Sequence, residues 1–195
     1  MVNARFLRGV ITCVVLTSSL GCTEQPDSHV VSAFSNSPTA PIVGSNGPVT
    51  KSLYLIQLSE SSRTEFGTID FGQQGYEQKV FSAIWELESL VNNGGFQGYF
   101  GNGAVSASFA TTALRAIEAH QCAAMLEEAL ALVSASLPNE FEERWEAIHS
   151  LPEPVATQFE ALDTRFFAYP DDLTELLFAF VSRHPEVFGP TPALK

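Results

Sequence analysis

Apolar residues recur along most of this chain at helical spacing. Val80, Ile84, Leu87 and Val91 stand at i, i+4, i+7 and i+11, and Phe81 and Trp85 widen the same face. A second stripe, Phe109, Ala113, Leu114 and Ile117, predicts a helix from about 106 to 119. A third, Met125, Leu126, Ala129, Leu130 and Val133, predicts one from 121 to about 136. After Pro138, Asn139 is placed to cap a helix with Glu142 at its third position, which would turn Phe141, Trp145 and Ile148 inward. Val155, Phe159, Leu162 and Phe166 mark the next helix, which Tyr169-Pro170 should end, since a residue before proline avoids the helical basin. Leu173, Leu176, Leu177, Phe180 and Val181 mark the last, with Asp171 and Asp172 at its positive end and His184-Pro185 closing it.

Ahead of these helices, Leu53 to Leu58 is apolar but too short for its period to decide between a short strand and a helical turn. Residues 51–75 read as an irregular lead-in, with three glycines between 59 and 75. The expectation is therefore an all-α fold. It is a compact bundle of five to seven helices over residues 76–190, with a possible short N-terminal strand.

The first 50 residues follow another pattern. Arg5 and Arg8 precede an apolar run, Gly9 to Leu20, too short to span a bilayer. It ends Ser19-Leu20-Gly21-Cys22, which resembles a bacterial lipobox, although Ser19 stands where an apolar residue is usual. Residues 1–22 are thus expected to be a signal peptide, with Cys22 the site of lipidation and the bacterial cell envelope the address. A secreted or periplasmic chain with an incidental Cys22 is the alternative. Residues 23–50, rich in Ser, Pro, Thr, Asn and Gly, read as a flexible tether with a typical span of roughly 30 Å.

Charge narrows the range of partners. All 22 acids follow Cys22 and eight of the ten bases do, so the chain beyond it carries 8 − 22 = −14. That argues against direct binding to nucleic acid or to anionic lipid, and leaves the anchor as the only membrane contact. It allows basic partners, cations or simple solubility; the partner expected is a protein whose identity the sequence does not give. Carboxylates that could form an acidic surface are Glu127, Glu128, Glu140, Glu142, Glu143, Glu146, Asp171, Asp172 and Glu175. Cys122 alone remains in the helical region, so no internal disulfide is available there, and its neighbours Ala123, Ala124 and Met125 suit a small buried side chain.

No catalytic motif is present: HExxH, GxSxG, the phosphate-binding loop and the EF-hand loop are all missing, and no nucleophile stands at a motif spacing from His29, His120, His149 or His184. The sequence therefore points to no catalytic residue, metal or cofactor. The feature that stands out is Asn92-Asn93-Gly94-Gly95, which interrupts a helix and delivers Phe96, Tyr99 and Phe100 at 0, +3 and +4. Two readings are open. It is a helix stop followed by aromatic core plugs, or a binding corner with Asn92, Asn93 and Asn102 as polar contacts. Glu88, near that corner, either accepts backbone N–H groups of the turn or sits buried with a raised pKa.

The block Glu-x-x-Val-Asn-Asn-Gly-Gly-Phe-x-x-Tyr-Phe-x-Asn, Glu88 to Asn102, resembles the domain family of unknown function that includes DNA mimic protein 19. "ATTALRAIEAHQCAAMLEEALAL", 110–132, and "ALDTRFFAY", 161–169, are similar to the same pattern, and the likeness extends over about 76–188. The chain departs from it at Leu90, where an acid is frequent, at the shorter Gly103-Ala104, and at Glu118, where the pattern often has Gly. The resemblance implies an all-helical fold and a family in which one member imitates DNA with surface carboxylates.

Overall fold

The computed structural model describes residues 50–102, 104–133, 137, 138 and 140–193. The leader, Cys22 and the tether, apart from Thr50, lie outside them. The described residues form eight α-helices and one 3-10 turn, with no strand among them. The run Leu53–Leu58 belongs to α1 (Lys51–Ser59), so of its two readings the helical one holds. Thr50 starts this helix: its hydroxyl accepts the Leu53 N–H at 3.2 Å.

The lead-in to the bundle is held by side chains. Thr64 is fully buried and donates to the Leu58 and Ser61 carbonyls. Gln74 donates to the carbonyls of Glu65 and Ile69 and accepts from Ser82 at 2.8 Å. Gln78 then reaches back to the Gly75 N–H at 3.0 Å, half of a capping box, and α2 (Tyr76–Asn102) begins.

α2 is the centre of the domain. It packs against α3 (Ala104–Ala116), α5 (Phe141–His149), α6 (Glu153–Phe167) and α7 (Leu173–Arg183). α4 (His120–Leu132) lies on α3 and α6, α1 lies on α7, and the short α8 (Pro185–Phe188) folds back on α7. The core follows the stripes read from sequence. Val80, Ile84, Leu87, Val91, Ala113, Leu114, Ile117, Met125, Leu126, Phe159, Leu162, Phe166, Leu177 and Val181 are all buried. Phe188 closes the far end against Phe81, and Arg63 fastens it by donating to the Phe188 carbonyl at 3.2 Å.

Two expectations for α5 are corrected. Its N-cap is Glu140, with no side-chain bond, and Asn139 lies outside the described residues. Of the three side chains expected inward, only Ile148 is buried; Phe141 and Trp145 are exposed and Arg144 is buried instead. The cause is where α5 meets α2. Gly101 has no side chain, so the Trp145 ring lies along it, and a Cβ there would be 3.0 Å from that ring. Arg144 enters and donates to the Gly101 carbonyl, left over as α2 ends, and to the Pro138 carbonyl, each at 3.1 Å.

The α3–α4 turn explains one departure from the family pattern. Ala119 N–H donates to the Leu114 carbonyl at 2.8 Å and Glu118 N–H to the Arg115 carbonyl at 3.1 Å, the paired bonds of a Schellman motif. That motif places Glu118 at φ +67°, a conformation glycine adopts without cost. Its ion pair with Arg183, 3.6 Å long and largely exposed, offsets little of the strain. Glu118→Gly is therefore expected to stabilise the domain by about 0.5–1 kcal/mol, the relief of left-handed strain exceeding the added unfolded-state entropy. Urea denaturation of the two proteins measures it, and an unchanged or lower midpoint would contradict this account of the turn.

Candidate functional site

The corner is a break within α2. Gly94 and Gly95 have non-helical backbones, and Gly95 sits at φ +64°, ψ −171°, a region open essentially to glycine alone. The break frees the Phe96 N–H, which would otherwise donate to a carbonyl one turn earlier. Asp163 of α6 accepts it at 2.8 Å. That carboxylate lies so close that a Cβ on Gly95 would stand 2.2 Å from its Oδ2. Burial raises the Asp163 pKa and the Phe96 bond lowers it, with the net shift upward.

The side chains predicted to line a binding corner have partners within the chain. Asn93 and Asn102 donate to the Ser89 and Gly98 carbonyls, four residues back, at 2.7 and 2.8 Å. Asn92 accepts from the Tyr169 hydroxyl at 3.2 Å. Phe96, Tyr99 and Phe100 are completely buried. Phe96 meets Phe166 edge-on at 5.7 Å between centroids, and Phe100 packs on Tyr99 and Phe159. Asp163, Phe166 and Tyr169 all belong to the block 161–169, so two stretches singled out in the sequence meet in space. Asp163 is the residue the sequence reading missed. A single Asp in a helical stripe carries no local mark of a bond made 67 residues away.

Glu88 is not the carboxylate that accepts the turn's N–H; Asp163 is. Glu88 is buried on α2 and makes no hydrogen bond or ion pair among the described residues. Its pKa is pushed up to about 7, first by burial and then by the Asp172 charge. The surrounding groups are Asp171, Asp172, Tyr169 and Cys122. Asp171 caps α4 by accepting the Cys122 N–H at 2.8 Å, and Asp172 caps α7 by accepting the Glu175 N–H at 3.0 Å. Asp171 was expected at the last helix and serves α4 instead. Burial and the Asp171 charge push the Cys122 thiol up to about 12, and burial and then the Glu88 charge raise Tyr169. The junction can exchange a proton near neutrality at Glu88, while the thiol stays protonated.

A second polar cluster lies between α2 and α3. Ser106 donates to the Glu86 carboxylate, which burial shifts upward in pKa and this bond shifts downward. Burial pushes the pKa of the nearby Tyr99 hydroxyl up, Ser106 pulls it down, and the Glu86 charge adds to the rise. Among the described residues no three His, Cys, Asp or Glu side chains converge as metal ligands.

The nine surface carboxylates separate by what they touch. Glu127 pairs with Arg115, Glu128 with Arg165 through both oxygens, and Glu175 with Lys51. Asp171 and Asp172 cap helices. Glu140, Glu142, Glu143 and Glu146 remain, exposed at the start and along the outside of α5, with no ion pair among the described residues.

An all-helical domain built on a glycine-broken central helix, its break capped by a carboxylate from a later helix, is the class these observations define. The family model for the DMP19-like protein matches residues 75–184, more than half of the chain, and the chain belongs to that family. No curated protein and no solved structure matches it significantly.

Two predictions test this site. Gly95→Ala should cost at least about 3 kcal/mol, combining backbone strain with the clash against Asp163, and Asp163→Ala about 1–2 kcal/mol for the lost cap. Because Asp163→Ala also removes the clash, the double variant should lose less than the sum. Additive losses in chemical denaturation would show that the two groups do not meet. Glu88 gives a pH signature. Its folded pKa exceeds the ordinary value of 4.5, so between pH 4.5 and about 7 the folded state holds a proton the unfolded state releases. Stability from this group is present at low pH and declines as pH rises to about 7. Glu88→Gln should therefore gain on the wild type by about 2–3 kcal/mol between pH 4.5 and pH 8; a pH-independent difference would show that Glu88 titrates normally.

Proposed function

We propose that this chain is a bacterial envelope lipoprotein, anchored through Cys22, whose acidic helical domain acts by binding a protein partner and not by catalysis. The observation that carries the binding half is the internal commitment of the corner. Asn92, Asn93, Asn102 and Asp163 all hydrogen-bond within the chain, which leaves the acidic exterior as the feature a partner can recognise. The address rests on the basic, apolar leader ending in Gly21-Cys22. Acyl chains at Cys22 would each contribute roughly 0.8 kcal/mol per buried CH₂, so several chains make a stable anchor.

Family membership favours a second reading, a DNA mimic that occupies a DNA-binding protein through its carboxylates. The two readings differ in address, because such a partner works in the cytosol and a lipidated chain leaves it. The pairing of Glu127, Glu128 and Glu175 with bases weakens the second reading, since a partner would have to compete with those bases for the same carboxylates.

Metabolic labelling with an alkyne fatty acid in a bacterial host separates them. The full chain should take up label and fractionate with membranes, and Cys22→Ala should do neither. An unlabelled wild-type chain in the cytosol would overturn the anchor. Affinity capture on the detergent-solubilised full chain tests the binding half, and failure to retain any protein stoichiometrically would count against it.

A further inference from the structure

The outer face of α5 combines two features, exposed rings and unpaired carboxylates among the described residues. Phe141, Trp145 and His149 stand at i, i+4 and i+8, so their rings form one stripe along the helix. The rings are stacked: Phe141 and Trp145 are 5.9 Å apart between centroids, Trp145 and His149 4.0 Å, each pair tilted by 28°. Phe141 is 50% exposed and Trp145 40%, large apolar area for a folded surface. Glu142 and Glu146, each one residue after a ring of the stripe, run along its side without ion pairs among the described residues. The stripe is also held in place. One edge of Trp145 rests on Gly101, and the His149 Nδ1 lies 2.8 Å from the Trp145 carbonyl oxygen.

We propose that this stripe docks an arginine-bearing segment of the partner protein. The inference rests on reading the domain as a protein-binding module and names the chemistry of its partner. A guanidinium is planar and weakly hydrated, so it lies against a ring while its edge N–H groups reach carboxylates beside it. A ladder of rings bordered by glutamates offers both contacts at once. The chain itself shows the geometry, since the Arg144 guanidinium stands 5.9 Å from the Phe141 centroid on the inner side. Phosphate imitation would need the carboxylates alone and would leave the rings without a role.

The test is fluorescence anisotropy of the full chain, at physiological salt, with a labelled, end-capped decapeptide of alternating Arg and Gly. Saturable binding is expected, weakened about fivefold in Phe141→Ala and by about fivefold or more in the pair Glu142→Gln and Glu146→Gln. The matching Lys peptide should bind several-fold more weakly. The control pair Glu127→Gln and Glu128→Gln, on α4, should bind as the wild type does. Should Phe141→Ala fail to fold, the exposed Glu142 and Glu146 pair carries the test. No binding, equal loss in the α4 control, or equal affinity for the Lys peptide would each overturn the proposal. Affinity capture keeps the two readings apart. A partner held equally by wild type and by the Glu142→Gln, Glu146→Gln variant sinks the stripe and leaves the binding role standing.

Discussion

One hydrogen bond, from the Phe96 N–H to the Asp163 carboxylate, fixes the geometry of the domain's centre. It can form only because Gly95 has no Cβ in the 2.2 Å beside that carboxylate. Without the break, α2 would run straight for 27 residues, about 40 Å, longer than a small domain can cover. With it, the second half of α2 turns and places Phe96 and Phe100 against α6, with Tyr99 packed on Phe100. The turned half then ends where Arg144 can reach the Gly101 carbonyl, which sets the seat of α5. A bond between two stretches far apart in the chain thus determines which face α5 shows to solvent.

The acidic composition is part of the same architecture. Helix N-termini carry unsatisfied N–H groups and partial positive charge, and this chain answers them with carboxylates borrowed from other segments. Asp163 serves the second half of α2, Asp171 serves α4, and only Asp172 serves the helix it precedes. Such capping across elements ties helices together as well as finishing them. Glu88 is the exception. It lies among these capping groups without a donor of its own among the described residues, and burial near Asp172 makes its ionisation unfavourable.

The helices were legible because their apolar residues repeat at one period and are buried on one face. α1 was ambiguous for the opposite reason: six apolar-rich residues fit a strand or a helix, and the Thr50 cap decides it. α5 shows a deeper limit. Phe141, Trp145 and Ile148 satisfy a helical stripe as well as Arg144 and Ile148 do, and hydrophobicity alone selects the wrong one. What reverses the choice is a pair of carbonyls, at Gly101 and Pro138, that only the folded chain brings within reach of a guanidinium. Glu118 was visible as a departure from the family pattern, but its left-handed backbone was not. Of the candidate site, the sequence marked the corner and its aromatic plugs but not the Asp163 cap.

That outcome bears on where function should be sought. Asn92 to Phe100 and 161–169 both lie within the stretch that the DMP19-like family model matches, and here they are engaged with each other: a cap, an aromatic contact and the Tyr169–Asn92 bond. Residues needed to build a fold can be shared by proteins that do different things, because the same break and the same cap serve any surface mounted on them. Membership therefore speaks to the scaffold. What this chain sets on that scaffold lies outside the junction, in a short helix that turns its rings and glutamates outward. The corner sets where that helix sits, but the side chains it shows to solvent can change while the cap and the scaffold stay intact.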